Sequence, residues 1–116
     1  AVRVDAVAAN LPLQTGYLRG EAVGITAFFT ECFIDELARI SGMEPLAYRM
    51  GMLAGSVRLA RALTTAAAIG GWDGGGEGST MGLACFSAFG SHIGVLASAS
   101  GTRDQRIQVD RLVAAV

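Results

Sequence analysis

Residues 22–40 place Ile25, Phe28, Phe29, Cys32, Phe33, Leu37 and Ile40 three or four positions apart, the period of a single stripe along an α-helix. The reverse of that helix is hardly polar. Ala27, Ile34 and Ala38 lie opposite the stripe, leaving Glu31 and Asp35 as the main charges on the remaining surface. A helix that is apolar around most of its circumference packs on two sides, so it needs more neighbours than a short chain offers. Composition points the same way, because charged residues make up 16 % of the 116 residues, against about a quarter in an ordinary soluble domain. The chain starts at Ala1 with no initiator Met and closes on the apolar Leu112, Val113, Ala114, Ala115 and Val116 with no turn signal after them. The expectation is one partial domain over residues 1–116, part of a larger protein.

Local signals give the order of elements. Val2, Arg3, Val4, Asp5, Ala6 and Val7 alternate with period two, which predicts a strand, and Pro12 and Gly16 predict a pause. The long helix stops at Ser41 and Gly42, and Glu44 with Pro45 opens a short helix to about Leu53. Ser56 is a natural N-cap for a third helix, which ends at Gly70 and Gly71 with Leu59, Leu63 and the alanines turned inward. Residues 81–89, 93–100 and 106–116 then read as strands separated by Gly90–Ser91 and by the turn at 101–104. Helices followed by a run of strands predict an α+β fold of two layers, with helices on a mainly antiparallel or mixed sheet.

Several functions are disfavoured by what the chain lacks. A net charge of -1 gives no broad attraction to a polyanion, so nucleic acid is not an expected partner. All nine positive charges are arginine, which removes phosphate-loop lysines, Schiff-base lysines and Ser-Lys dyads. Cys32 and Cys85 are too few and too far apart for a zinc cluster or a redox pair; the reduced state is the default, and a single Cys32–Cys85 bridge stays open. Residues 78–102 carry no Asp, Glu, Lys or Arg, but their serines, glycines and His92 suit buried strands better than a membrane span. The glycine-rich segment from Gly70 to Gly78 follows a helix and precedes a strand, the wrong context for a dinucleotide fingerprint, and reads as a flexible connector.

Few residues remain that could carry chemistry. His92 is the sole imidazole and lies in the expected hairpin, where a turn or packing role is favoured. Glu36 falls by helical phase in the middle of the stripe formed by Ile25, Phe29, Cys32, Phe33 and Ile40. A carboxylate buried there needs a cationic partner, and Arg49 on the next helix is the candidate for a structural ion pair. Gly16, Tyr17, Leu18, Arg19, Gly20 and Glu21 enter the long helix at its N-terminus, an arrangement that gives a weak anion-site signal.

The run from Gly16 to Gly20, the helix reading Phe28-Phe29-Thr30-Glu31-Cys32-Phe33-Ile34-Asp35-Glu36-Leu37-Ala38, and the following Gly42-Met43-Glu44-Pro45-Leu46-Ala47-Tyr48-Arg49 together resemble the large catalytic subunit of molybdenum hydroxylases. The resemblance is to the xanthine dehydrogenase and aldehyde oxidase family, in the branch of the isoquinoline 1-oxidoreductase beta subunit. Trp72 after Gly71, and Val113 to Val116, stand where that pattern has them.

The resemblance implies an oxidoreductase that hydroxylates an aldehyde or N-heterocycle with oxygen from water. It also implies a molybdopterin cytosine dinucleotide in the full-length protein, held in a region of which this chain is part. Leu18, Arg19 and Gly20 are the implied cofactor contacts and Glu21 the implied pocket-lining residue. Implied partners are the remainder of the large subunit and an iron-sulfur small subunit, in a bacterial cytoplasm or periplasm. No catalytic residue and no metal ligand is assigned, since the family's glutamate base belongs to a segment this chain does not reach. The isolated chain is expected to be inactive, free of cofactor and oligomeric. Ala22 and Val23 depart from the family's glycines, which favours the alternative of a non-catalytic interaction or oligomerisation domain of the same fold.

Overall fold

The computed structural model describes every residue except 1–4, 6, 15, 18, 102, 103 and 105. Three helices come first, α1 (Val23–Ile40), α2 (Pro45–Met52) and α3 (Val57–Gly70). Three strands follow, β1 (Met81–Ala88), β2 (Ser91–Gly101) and β3 (Ile107–Ala115). The strands form an antiparallel sheet in the order β1-β2-β3, with β2 in the centre. This is the expected α+β class, with helix against antiparallel sheet. The strand expected at residues 2–7 lies largely outside the described residues, and Asp5 and Val7 belong to no regular element. Among the described residues no helix is long and apolar enough to cross a membrane.

Glu44 explains where α2 starts. Its carboxylate accepts from the amides of Leu46 (2.8 Å) and Ala47 (2.7 Å), two of the donors a helix N-terminus leaves without partners. The same carboxylate accepts from Trp72 Nε1 at 2.6 Å, which ties the segment after α3 to the start of α2. The glycine-rich segment is likewise pinned, by Asp73 Oδ1 accepting from the Gly75 amide (3.0 Å) and the Ser79 hydroxyl (2.9 Å). Those donors hold the Asp73 carboxyl below its ordinary range. Ser56 precedes α3 as expected, but its side chain makes no capping bond.

The core lies between α3 and the sheet. Leu59, Leu63 and Ala67 of α3 meet Leu83, Cys85 and Leu96, with Trp72, Met81 and Val113 partly buried around them. Leu83, Leu96 and Val113 are paired across the three strands and therefore share a face. Small residues bring α3 unusually near β2. A Cβ at Gly94 would stand 2.4 Å from Leu63 Cα and 2.5 Å from the Ala62 carbonyl carbon, so only glycine fits that crossing.

The long helix faces the other way from the sequence expectation. Ile25, Phe28, Phe29, Phe33 and Ile40 are all more than half exposed, whereas Glu31 and Ala38 are buried. The cause is the contact that α1 makes along the edge strand β1. Glu31 Oε2 accepts from the Cys85 amide at 3.0 Å, so the helix satisfies an edge donor of the sheet with the face that carries its charges.

Candidate functional site: the Arg49 network and the loop before α1

Arg49 is 1 % exposed, the most deeply buried charge among the described residues. Its Nε donates to Glu31 Oε2 (2.9 Å), one terminal nitrogen to Asp35 Oδ1 (2.7 Å), and the other to the Glu31 carbonyl (3.2 Å). Glu31 and Asp35 are four apart on α1 and so present their carboxylates on one side of the helix. Burial alone would lower the Arg49 pKa, but the bonds to Asp35 and Glu31 outweigh it and the net direction is upward. The guanidinium therefore stays charged, and its planar fork joins α1 to α2 while Glu31 joins both to β1.

Glu36 is not the partner of Arg49. It travels with the apolar stripe and is exposed, because the stripe turns outward. The sequence held a usable signal: Glu31 and Asp35 share a face with the small Ala27 and Ala38, the kind of face that lets a helix approach a sheet edge closely. No buried side-chain nitrogen or oxygen among the described residues is left without a hydrogen bond.

Arg19, Gly20 and Glu21 form a turn leading into α1, with the Val23 amide donating to the Gly20 carbonyl at 3.1 Å. All three are exposed. Gly20 and Glu21 both take left-handed backbone angles, φ 81° and 50°. That conformation strains a side-chain-bearing residue such as Glu21 and is the kind of local outlier that clusters at ligand-contacting loops. A Cβ at Gly20 would meet nothing within 4 Å, so the space above the backbone is open to a group from outside the described residues. An exposed guanidinium beside open backbone at a helix entrance suits an anionic group such as a dinucleotide's phosphates. Leu18 lies outside the described residues.

About two turns of α1 separate Val23, at the end of this loop, from Glu31, roughly 12 Å at helical rise. The structure thus keeps the expected cofactor contacts apart from the buried ion pairs. Among the described residues no group of three or more His, Cys, Asp or Glu side chains is placed to hold a metal ion.

The cysteines are both free, Cys32 exposed and Cys85 buried. Burial, and then the nearby Glu31 charge, push the Cys85 thiol up to about 11, against the pull of Arg49. At mildly alkaline pH a thiol reagent is expected to label Cys32 rapidly and Cys85 only on unfolding. Because the folded value lies above the unfolded one, the unfolded chain loses the proton first. Stability is therefore expected to decline as pH rises from about 9 to about 11. Denaturation midpoints of wild type and Cys85→Ala across that range check this, since the variant should lack that part of the decline. His92 pairs with Ser87 across the hairpin, Nδ1 to Oγ at 2.7 Å, which agrees with a turn role.

No protein-family model matches the chain, and no solved structure matches it. A curated relative is the isoquinoline 1-oxidoreductase subunit beta of Brevundimonas diminuta, 28 % identical over 120 residues. The chain is similar to part of an oxidoreductase subunit. The match covers 98 % of this chain and 15 % of that subunit, so the chain spans less than a fifth of its relative's length.

Proposed function

We propose that the chain is a segment of the large subunit of a molybdenum hydroxylase, lending the loop before α1 to the cofactor's surroundings and carrying no catalytic group of its own. The observation that supports this most is the end-to-end similarity to the isoquinoline 1-oxidoreductase subunit beta, over 98 % of the chain. The bound molybdenum-pterin group would supply hydroxylation of an aldehyde or N-heterocycle carbon with oxygen from water. Arg19 and the Gly20 backbone would hold its anionic part, and Glu21, exposed beside them, would line the pocket. The outward stripe of α1 fits this reading, because the remainder of the subunit would cover it. Electrons would leave through an iron-sulfur small subunit.

The test is metal analysis of the full polypeptide that carries this sequence, alongside Arg19→Ala and Gly20→Val. Wild type is expected to carry molybdenum, each variant several-fold less at unchanged helix content, and the 116-residue piece alone none. A full polypeptide without molybdenum overturns the reading, and so do variants that load fully. If that polypeptide also sediments as a dimer through the α1 stripe, the observation favours the second reading, a non-catalytic oligomerisation domain.

A further inference from the structure

The loop at 19–21 is fastened to α1 by the Val23 amide donating to the Gly20 carbonyl (3.1 Å) and the Thr26 amide donating to the Ala22 carbonyl (2.8 Å), so it stands wherever that helix puts it. What places α1 is polar. Within these 116 residues the helix buries Glu31 and Ala38, and its links to α2 and β1 run through oxygens of Glu31 and Asp35. The far ends of those links are fixed in turn. The Arg49 nitrogen that meets Asp35 also donates to the Pro45 carbonyl of its own helix (3.2 Å), and α2 is tied through Glu44 to Trp72. Cys85 belongs to the strand paired with the central β2. Glu31 thus refers α1 to a helix and a strand at once. Apolar contact is non-directional, so whatever covers the outward stripe adds cohesion more than register. The planar fork of Arg49, bound at 2.7–3.2 Å, is directional, and sliding α1 by one residue, about 1.5 Å, breaks it.

We infer that the buried Arg49 network sets the place of the cofactor loop, with Arg49, Glu31 and Asp35 as positioning residues that act through α1. This rests on the molybdenum-hydroxylase reading of the loop. Val23 lies about 12 Å from Glu31 along the helix, so a tilt of about 5° about the anchor carries the start of α1 by about 1 Å. A site that holds a ligand by backbone and a guanidinium fork needs placement to within about 0.5 Å. Loosening the network is therefore felt at Arg19 and Gly20, although none of its members touches the cofactor.

The test measures molybdenum content, and the electron paramagnetic resonance spectrum of the partly reduced metal, in the full polypeptide and its variants under conditions where melting curves show them folded. Arg49→Lys keeps the charge and loses the fork. Asp35→Ala removes the half-exposed arm of the network, and decides the matter alone if Arg49→Lys does not fold. Val113→Ala loosens the core from β3, the edge strand away from α1, and so costs stability without touching the network. Both network variants are expected to hold several-fold less molybdenum than wild type, with altered resonance lines in the fraction that is loaded, whereas Val113→Ala loads fully with an unaltered spectrum. Full loading with the wild-type spectrum in the network variants overturns the inference, and so does an equal loss in Val113→Ala, which would make the effect one of stability. If Arg19→Ala loses molybdenum while the network variants keep it, the loop retains its role and the network does not; a wild-type polypeptide without molybdenum removes both.

Discussion

Gly94→Val is expected to cost about 3 kcal/mol or more, at the upper end of what overpacking costs, because the obstructing atoms are backbone and cannot rotate away. A Cβ at that position would lie 2.4 Å from Leu63 Cα and 2.5 Å from both the Leu63 nitrogen and the Ala62 carbonyl carbon. To make room α3 would have to lift off β2, and the contacts of Leu59, Leu63 and Ala67 with Leu83, Cys85 and Leu96 would open together. A chain of this size is typically stable by about 5–15 kcal/mol, so the variant should lose a large share of its margin. Urea denaturation is the measurement. Gly82→Ala is the control, since an added Cβ there meets nothing within 4 Å and the position is exposed. Equal midpoints for Gly94→Val and wild type would mean that α3 is not seated on β2 at this point.

Arg49→Ala and Glu31→Ala are each expected to destabilise by about 3–5 kcal/mol, because removing one partner leaves the other charge buried and uncompensated. Glu31→Ala also orphans the Cys85 amide. Asp35→Ala should cost much less, since that carboxylate is about half exposed, with a side-chain exposure of 47 %, and water can replace it beside Arg49. Arg49→Lys should not rescue the site, because a single ammonium cannot span Glu31, Asp35 and the Glu31 carbonyl as the fork does. The Arg49→Ala/Glu31→Ala double variant is expected to lose clearly less than the sum of the single losses. Additive losses in that cycle would show that the two side chains do not act as a unit.

The elements themselves were legible because their signals are local. Proline at position 45 after an acidic cap, glycines at the helix ends, the 3.6 period of residues 22–40 and the period-two runs after residue 80 each act over a few residues. They placed three helices and three strands close to where they form. The orientation of α1 was not legible. Its apolar stripe is the stronger periodic signal, yet the opposite face docks, because the unpaired edge of β1 and the Arg49 side chain both lie on that side and both need carboxylate oxygens. Apolar burial is non-directional and can be deferred to another surface, whereas an interior guanidinium and an edge amide must find acceptors within this fold.

The sequence by itself thus determined the class of fold, the order of its elements and the likeness to an oxidoreductase subunit. Only the tertiary structure decided that Glu31 and Asp35 hold Arg49 while Glu36 stays outside, and that Gly94 lies under α3. It also decided that Glu31 meets the amide of Cys85, 54 residues further along the chain. The physical reason is range. Caps, turns and periodicity are set by neighbours along the chain, but charge pairing and close backbone approach depend on which surfaces meet, and that is fixed only when the helices settle on the sheet.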